Sequence, residues 1–249
     1  MSHMTAVTGK GGVGKTTFCA LLIKNLIAAG KTPVLAIDAD PNSCLDAALG
    51  VKTVNTVGRA REQVKQEGSS PNISAKELLQ IKLNESLVES EGFDLIAMGR
   101  PEGAGCYCYA NNVLKSVIGE ISGQYPYVVL DNEAGLENLS RRIVNKVDLM
   151  CLVSDGSNAG LETLKRLYEL ALEMEVEYKS LALVVNRVRG GRFPEKLGEI
   201  KILTKADHII TLPDDDEIAE YAEKNRSLLE LPENNFANIN VNNFMKGIF

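Results

Sequence analysis

The chain has 249 residues, of which 45% are hydrophobic and 24% charged, proportions typical of a soluble globular protein. The formal net charge is −6, which argues against sequence-independent nucleic-acid binding, and no apolar run reaches the ~18 residues of a membrane-spanning helix. Two histidines are too few for a site or mechanism that takes several of them from one chain.

Residues 1–3 resemble a cloning remnant, and we expect residues 4–249 to form a single α/β domain. No secretory signal is visible in the sequence, so we expect a cytoplasmic protein. In that compartment the five cysteines are expected to be thiols and not disulfides.

Apolar runs recur along the chain and predict strands at residues 6–8, 34–38, 93–98, 127–131, 149–154, 181–186 and 208–212. Helical patterns alternate with them at residues 16–29, 75–89, 111–122, 161–173 and 215–223. This alternation predicts a doubly wound, mostly parallel sheet of about seven or eight strands flanked by helices. Segment 51–91 is expected to form helices over one edge. The tail 230–249 is expected to pack on the body, since it lacks the basic face of a membrane-binding helix.

The stretch Gly-Lys-Gly-Gly-Val-Gly-Lys-Thr-Thr at residues 9–17 lies between the first predicted strand and the first predicted helix. It matches the phosphate-loop pattern G-x-x-x-x-G-K-[ST]. Lys15 is expected to reach the β- and γ-phosphates, and the Thr16 hydroxyl to bind Mg²⁺. The predicted ligands are therefore ATP or ADP with Mg²⁺, bound by Gly11, Gly12, Val13, Gly14, Lys15, Thr16 and Thr17.

Lys10 adds a second lysine to this loop, which makes it similar to the deviant Walker A ATPases, the family of MinD, ParA, ArsA and the nitrogenase iron protein. In that family the corresponding lysine reaches the nucleotide of the partner chain. The resemblance therefore implies a homodimer that encloses ATP between its chains and hydrolyses it slowly, as a switch.

Carboxylates close two of the predicted strands. The sequence at residues 38–41, Asp-Ala-Asp-Pro, resembles switch I, in which we assign Asp40 to orient the attacking water and Asp38 to support the turn. Asp131 ends a strand of the Walker B type and is expected to support Mg²⁺ through water. Gly135 follows in a segment similar to switch II, where its backbone N–H would sense the γ-phosphate. The predicted catalytic residues are thus Lys10, Lys15 and Asp40.

Two later strands end in residues that the resemblance assigns to the nucleobase. Asn186 and Arg187 end the strand at 181–186, and Pro213 and Asp214 follow the strand at 208–212. Each pair is a weak signal alone, but both occur in the expected order.

Cys106 and Cys108 lie in a glycine-rich loop at about residues 99–110, the cysteine segment, between the strand predicted at 93–98 and the helix predicted at 111–122. Two thiols seldom supply a whole metal site, but two copies of this segment in a symmetric dimer supply four thiolates. With the phosphate loop and the two switches, they make the chain resemble the CooC-type nickel-insertion ATPases. That resemblance implies Ni²⁺ at the dimer interface, with Zn²⁺ as a competitor. It also implies a nickel–iron client enzyme, either carbon monoxide dehydrogenase or acetyl-CoA synthase, and no nucleic-acid or membrane partner.

Two other functions stay open at this point. One is a MinD/ParA-type positioning ATPase, and the other is an iron–sulfur ATPase resembling the nitrogenase iron protein, which takes its cysteines from well-separated positions. Cys106 and Cys108 also have alternatives as surface thiols or a redox pair. Cys19 and Cys151 are expected in the core, Cys44 in packing, and His208 in a structural role.

Overall fold

The computed structural model describes residues 2–67, 75–100, 115, 118–119, 121–133, 146–191 and 195–249. Its strands are β1 (His3–Gly9), β2 (Val34–Asp38), β3 (Leu87–Ser90), β4 (Phe93–Ala97), β5 (Tyr127–Asp131), β6 (Lys146–Asp155), β7 (Glu177–Val188) and β8 (His208–Pro213). Its α-helices are α1 (Lys15–Ala28), α2 (Leu45–Leu49), α3 (Val57–Glu67), α4 (Ala75–Asn84), α5 (Asn158–Glu173), α6 (Lys196–Thr204), α7 (Asp216–Glu223) and α8 (Phe236–Met245).

The strands form one eight-stranded sheet in the order β3-β4-β2-β5-β1-β6-β7-β8. Every neighbouring pair is parallel except β3 and β4. The central strands are buried along their lengths, as parallel strands covered on both faces must be. The predicted doubly wound sheet of seven or eight strands is confirmed.

Two apolar layers cover the sheet. One face packs against α1, α2, α7 and α8, with Phe18 of α1 at its centre, and the other packs against α3 to α6. The tail joins the first layer, because Ala237, Val241 and Met245 of α8 are buried. The predicted packing of the tail against the body is confirmed. None of the described helices is long and apolar enough to cross a membrane.

The predicted helix at 75–89 is wrong in its last five residues. The helix ends at Asn84, and Leu87–Ser90 forms β3, an edge strand in an antiparallel hairpin with β4. Leu87 continues the helical spacing of Leu79 and Leu83, so the periodicity alone does not mark the end. The sequence analysis also missed α2, α6 and α8. Most of the predicted helix at 111–122 lies outside the described residues.

Candidate functional site

The phosphate loop connects β1 to α1 at the carboxyl edge of the sheet, where parallel α/β folds bind ligands. Lys15, the first residue of α1, is buried, and its Nζ donates to the backbone oxygen of Lys10 at 3.3 Å. The Lys10 side chain is exposed. The two lysines therefore differ in their surroundings. The Lys15 amine bonds the backbone of the phosphate loop, whereas the Lys10 side chain is exposed to solvent.

Thr16 and Asp131 meet across the sheet edge. The Thr16 hydroxyl donates to Asp131 Oδ2 at 2.6 Å. No described residue bonds the second carboxylate oxygen, Oδ1, although it is buried. Burial raises the pKa of Asp131 to about 7, against the opposing effect of the Thr16 hydrogen bond. A hydroxyl and a buried oxygen without a partner are hard ligands of the kind that Mg²⁺ prefers, so the residues fit the predicted magnesium position.

Asp38 closes the loop that follows β2. Its carboxylate accepts the backbone N–H of Asp40 at 3.0 Å and that of Leu45 at 2.9 Å. Burial nevertheless raises its pKa to about 6. Asp38 therefore supports the turn, as predicted, while the half-buried Asp40 carboxylate accepts only the Asn42 N–H among the described hydrogen bonds.

The predicted base-binding residues lie on the other side of the phosphate loop. Asn186 Nδ2 donates to the Val13 oxygen at 2.9 Å, and Asn186 Oδ1 accepts the N–H of Arg187. Gly14 has a φ of 92°, and a Cβ there would lie 2.1 Å from Asn186 Nδ2. We call this contact of Asn186 with Val13 and Gly14 the Asn186 clamp. The sequence analysis missed it, because no local pattern indicates a contact between residues 173 positions apart. One N–H and one lone pair of the Asn186 amide remain for a base.

A surface ion pair borders the same side. Arg189 Nε lies 3.1 Å from Asp214 Oδ2, with both side chains substantially exposed. Pro213, the last residue of β8, is half-buried. Asn186, Arg187, Pro213 and Asp214 thus come from the ends of adjacent strands β7 and β8. Their contact with a base stays a prediction.

Cys106, Cys108 and Gly135 lie outside the described residues. Within the described ranges, no group of three or more His, Cys, Asp or Glu side chains is arranged to hold a metal. The metal site predicted at the cysteine pair therefore stays a prediction.

The remaining cysteines divide into two kinds. Cys19 and Cys151 are fully buried in the core, as predicted. The prediction that Cys44 is a packing residue is wrong, because it precedes α2 with its side chain exposed. Burial of part of the thiol and the charges of Asp38 and Asp40 raise its pKa. His208 packs edge-on against Phe244, a structural contact of the predicted kind.

Comparison with known proteins identifies the family to which the chain belongs. Residues 4–228 match the CobQ/CobB/MinD/ParA nucleotide binding domain. An uncharacterized ATP-binding protein of Methanocaldococcus jannaschii is 44% identical over 234 residues, 92% of each chain. The carbon monoxide dehydrogenase accessory protein CooC of Rhodospirillum rubrum is 30% identical over 199 residues, 74% of this chain and 73% of that protein.

Among solved structures, a ParA family ATPase from Chlorobium tepidum superposes with a TM-score of 0.74 at 18% identity, covering 98% of this chain and 97% of that one. This similarity concerns the fold alone. The family match covers most of the chain and includes the phosphate loop, Asp40, Asp131 and Asn186. The chain therefore belongs to the CobQ/CobB/MinD/ParA family of P-loop ATPases.

Proposed function

We propose that this protein is a homodimeric ATPase that binds nickel through Cys106 and Cys108 at its dimer interface. Switched by ATP, it delivers the nickel to carbon monoxide dehydrogenase or acetyl-CoA synthase. The observation that carries the proposal is the combination of a double-lysine phosphate loop with a Cys-x-Cys pair in one chain. The similarity to an accessory protein of carbon monoxide dehydrogenase supports the choice of client.

The site supports the ATPase part of the proposal through positioning and charge. Lys15 binds the β- and γ-phosphates after its amine leaves the Lys10 oxygen, to which it donates in this structure. Asp40 orients the attacking water, and Lys10 of the second chain stabilises the charge that develops during transfer. Mg²⁺, held by Thr16 and through water by Asp131, supplies charge neutralisation when bound.

The position of the cysteine segment supports the nickel part. The cysteine segment begins at Gly99 and Arg100, one residue after the end of β4. β4 pairs with β2 in parallel, with Ala97 opposite Asp38. The cysteine segment therefore begins beside residues 38–41, the predicted switch I. Four thiolates from two chains give a soft ligand set that accepts Ni²⁺ and also Zn²⁺.

A positioning ATPase of the MinD/ParA type is the second candidate, since the family and the fold are shared with such proteins. Such proteins act at a membrane or on DNA. Two observations weigh against binding to a membrane or to DNA. Ala237, Val241 and Met245 of α8 are buried in the layer that contains α1, although Phe236 and Ile239 of the same helix are exposed, and the net charge is −6.

The family that the iron–sulfur alternative resembles takes its cysteines from well-separated positions, and the closely spaced Cys106 and Cys108 therefore favour nickel. The identity of the bound metal distinguishes the two functions.

The test is an anaerobic titration of the reduced protein with Ni²⁺, with and without Mg²⁺ and ATP, followed by thiolate-to-nickel charge-transfer absorbance. We expect about one Ni²⁺ per dimer, an affinity that changes with nucleotide, and loss of the signal in the Cys106→Ser/Cys108→Ser variant. Cys44→Ser is the matched control, because it removes an exposed thiol elsewhere and is expected to leave the signal intact.

Absence of any nickel signal that depends on Cys106 and Cys108 would contradict the proposal. Anaerobic iron–sulfur reconstitution then separates the remaining functions. A brown, oxygen-sensitive dimer points to the iron–sulfur ATPase, while co-sedimentation with liposomes or DNA points to a positioning ATPase.

A further inference from the structure

Phe236 and Ile239 form an exposed apolar pair at the start of α8. Phe236 is 75% exposed and Ile239 is 37% exposed, although the opposite face of the helix is buried in the core. Among the residues that the structure describes, Ile202 is the one large apolar side chain with greater exposure than Phe236. Residues three positions apart on a helix are neighbours, so the two side chains form one surface, which we call the α8 patch. Its surroundings decide whether it can bind a partner, because single exposed apolar side chains are common.

The chain segment that leads to the α8 patch carries the net negative charge of the protein. Residues 214–233 contain eight Asp and Glu residues and two Lys and Arg residues, a net charge of −6. The whole chain also has a net charge of −6, so its other residues are together neutral. The two cations of the segment are already paired, Lys224 with Glu220 and Arg226 with Glu230. The surplus carboxylates are therefore available to a cationic partner.

Hydrogen bonds hold this acidic segment beside the α8 patch. Asn235, which directly precedes Phe236, is buried, and its Nδ2 donates to Asp215 Oδ2 at 2.9 Å and to Glu217 Oε2 at 3.0 Å. Asp215 and Asn235 are the N-cap residues of α7 and α8, so the starts of the two helices are joined through their caps. Glu233 is exposed three residues before Phe236. Carboxylates are thus held next to the first turn of α8, where the patch begins.

The charge of residues 214–233 decides which kind of partner suits the α8 patch. A nucleic acid or an anionic membrane would be repelled, and a symmetric contact with a second copy would bring two acidic segments together. Lys24 of α1 interacts electrostatically with Glu233, but its amine already donates to the backbone oxygen of Leu229 at 2.6 Å. The complementary surface is one in which Lys and Arg side chains surround apolar ones.

We propose that the α8 patch docks a basic amphipathic segment of a partner protein. Apolar side chains of that segment cover Phe236 and Ile239, and its Lys and Arg side chains meet exposed carboxylates, among them Asp216 and Glu233. The apolar contact supplies most of the affinity, while the charges speed association and reject other surfaces. These four residues have no assigned role in binding nucleotide or nickel, so this inference and the proposed function can fail separately.

The test measures the binding of three labelled peptides to the full chain by fluorescence anisotropy. The first peptide carries Leu at helical spacing among Lys and Arg, the second has Gln in place of each Leu, and the third has Glu in place of each Lys and Arg. We expect the first peptide to bind at least about ten-fold more tightly than the second, and the third not to bind. Added salt should weaken the binding of the first peptide.

The apolar part of the surface is tested with Phe236→Ser/Ile239→Ser. This variant is expected to bind the first peptide about ten-fold more weakly than the natural sequence does. Ile202→Ser/Leu203→Ser is the matched control, because it removes two exposed apolar side chains of α6, and it should bind as the natural sequence does. All four positions are exposed, so melting temperatures should stay close to that of the natural sequence.

The charged part of the surface is tested with Asp216→Asn/Glu233→Gln. We expect the affinity for the first peptide to fall about three-fold or more and its dependence on salt to decrease. Glu162→Gln/Glu169→Gln makes the same change in net charge at two exposed positions of α5 and is expected to have a smaller effect than this variant.

Full binding by Phe236→Ser/Ile239→Ser, or an equal loss in the α6 control, would overturn the inference. Equal affinities for the first and second peptides would also overturn it, because they would indicate attraction between charges alone. A fourth measurement addresses a second copy as the occupant. If light scattering shows that Phe236→Ser/Ile239→Ser changes the oligomeric state of the protein without peptide, the α8 patch is an interface between copies of this chain and the inference is wrong.

Discussion

Asp38 and Asp131 are direct partners in the parallel pairing of β2 and β5, so two carboxylates end neighbouring strands at the same level of the sheet. Both are buried, but their surroundings differ. Two backbone N–H groups bond the Asp38 carboxylate, whereas Asp131 has one hydroxyl donor and an oxygen that no described residue bonds. Asp38 is therefore built into the fold, while Asp131 retains an oxygen for a ligand.

Replacing Asp131 with Asn is expected to raise the thermal stability of the nucleotide-free protein at pH 8 and to abolish Mg²⁺-dependent ATP hydrolysis. The folded-state pKa of Asp131 is raised to about 7 from 3.8, so the folded protein holds this proton more tightly than the unfolded chain. The stability linked to that proton is present below pH 3.8 and is lost as the pH rises through 7. Melting curves of the natural protein and of Asp131→Asn, recorded from pH 5 to 8, measure this effect. The difference between their melting temperatures should become smaller toward pH 5.

Asp38→Asn is the matched control for that variant. The Asp38 carboxylate accepts two backbone N–H groups, one on each oxygen. In asparagine one of these oxygens is replaced by an NH₂ group, which cannot accept and faces the backbone N–H donor. The pKa of Asp38 is also raised, to about 6, so removing its charge is favourable at pH 8. We expect the lost N–H bond to outweigh this gain and to destabilise the protein by about 1–3 kcal/mol. If both variants shift the melting temperature in the same direction, the distinction drawn between the two carboxylates is wrong.

Gly14→Ala is expected to destabilise the nucleotide-free protein more than Gly12→Ala, by about 1–3 kcal/mol. Both glycines have a positive φ, 92° and 75°, so both substitutions carry a backbone penalty. Only at Gly14 does the new Cβ meet Asn186, whereas no described atom lies within 4 Å of the Cβ at Gly12. The difference in the free energy of unfolding, from urea titrations of the two variants, isolates the Asn186 clamp. Equal losses would show that backbone strain accounts for both.

Sequence patterns predicted the parts of this molecule that depend on local chemistry. The bounds of β2 and β5 are those predicted, because each is a continuous apolar run, as buried parallel strands are, and each ends at an aspartate that marks its boundary. β3 could not be separated from the preceding helix, since it is four residues long, half polar and at the sheet edge. The Asn186 clamp depends on the strand order, which places β6 alone between β1 and β7, and a single sequence does not reveal that order.

The polar pair Asn25–Asn238 is expected to contribute to stability without affecting nucleotide binding. Asn25 Nδ2 donates to Asn238 Oδ1 at 2.8 Å in a buried contact between α1 and α8. Asn238→Ala leaves a buried amide with one partner fewer and should cost about 1–3 kcal/mol of unfolding free energy. Asn243→Ala, on an exposed position of the same helix, should stay within about 0.5 kcal/mol. Urea unfolding gives the free energies, and ATP titration should return equal affinities for all three proteins.

Lys10→Ala is expected to retain ATP binding and to lose at least ~100-fold in the rate of hydrolysis. The Lys10 side chain is exposed, and the loop uses only its backbone oxygen, which accepts from Lys15 and which alanine keeps. The loss should therefore appear in kcat and not in the affinity for ATP. Nucleotide titration together with steady-state phosphate release measures both quantities.

Mixing variants tests whether Lys10 acts on its own chain or on its partner. Asp40→Ala chains keep Lys10, and Lys10→Ala chains keep Asp40, so in a mixed dimer one site receives both residues only if Lys10 acts across the interface. An equal mixture that exchanges at random contains half mixed dimers with one complete site of two, which predicts about a quarter of the natural rate. Activity that stays at the level of the separate variants would mean that Lys10 serves its own nucleotide.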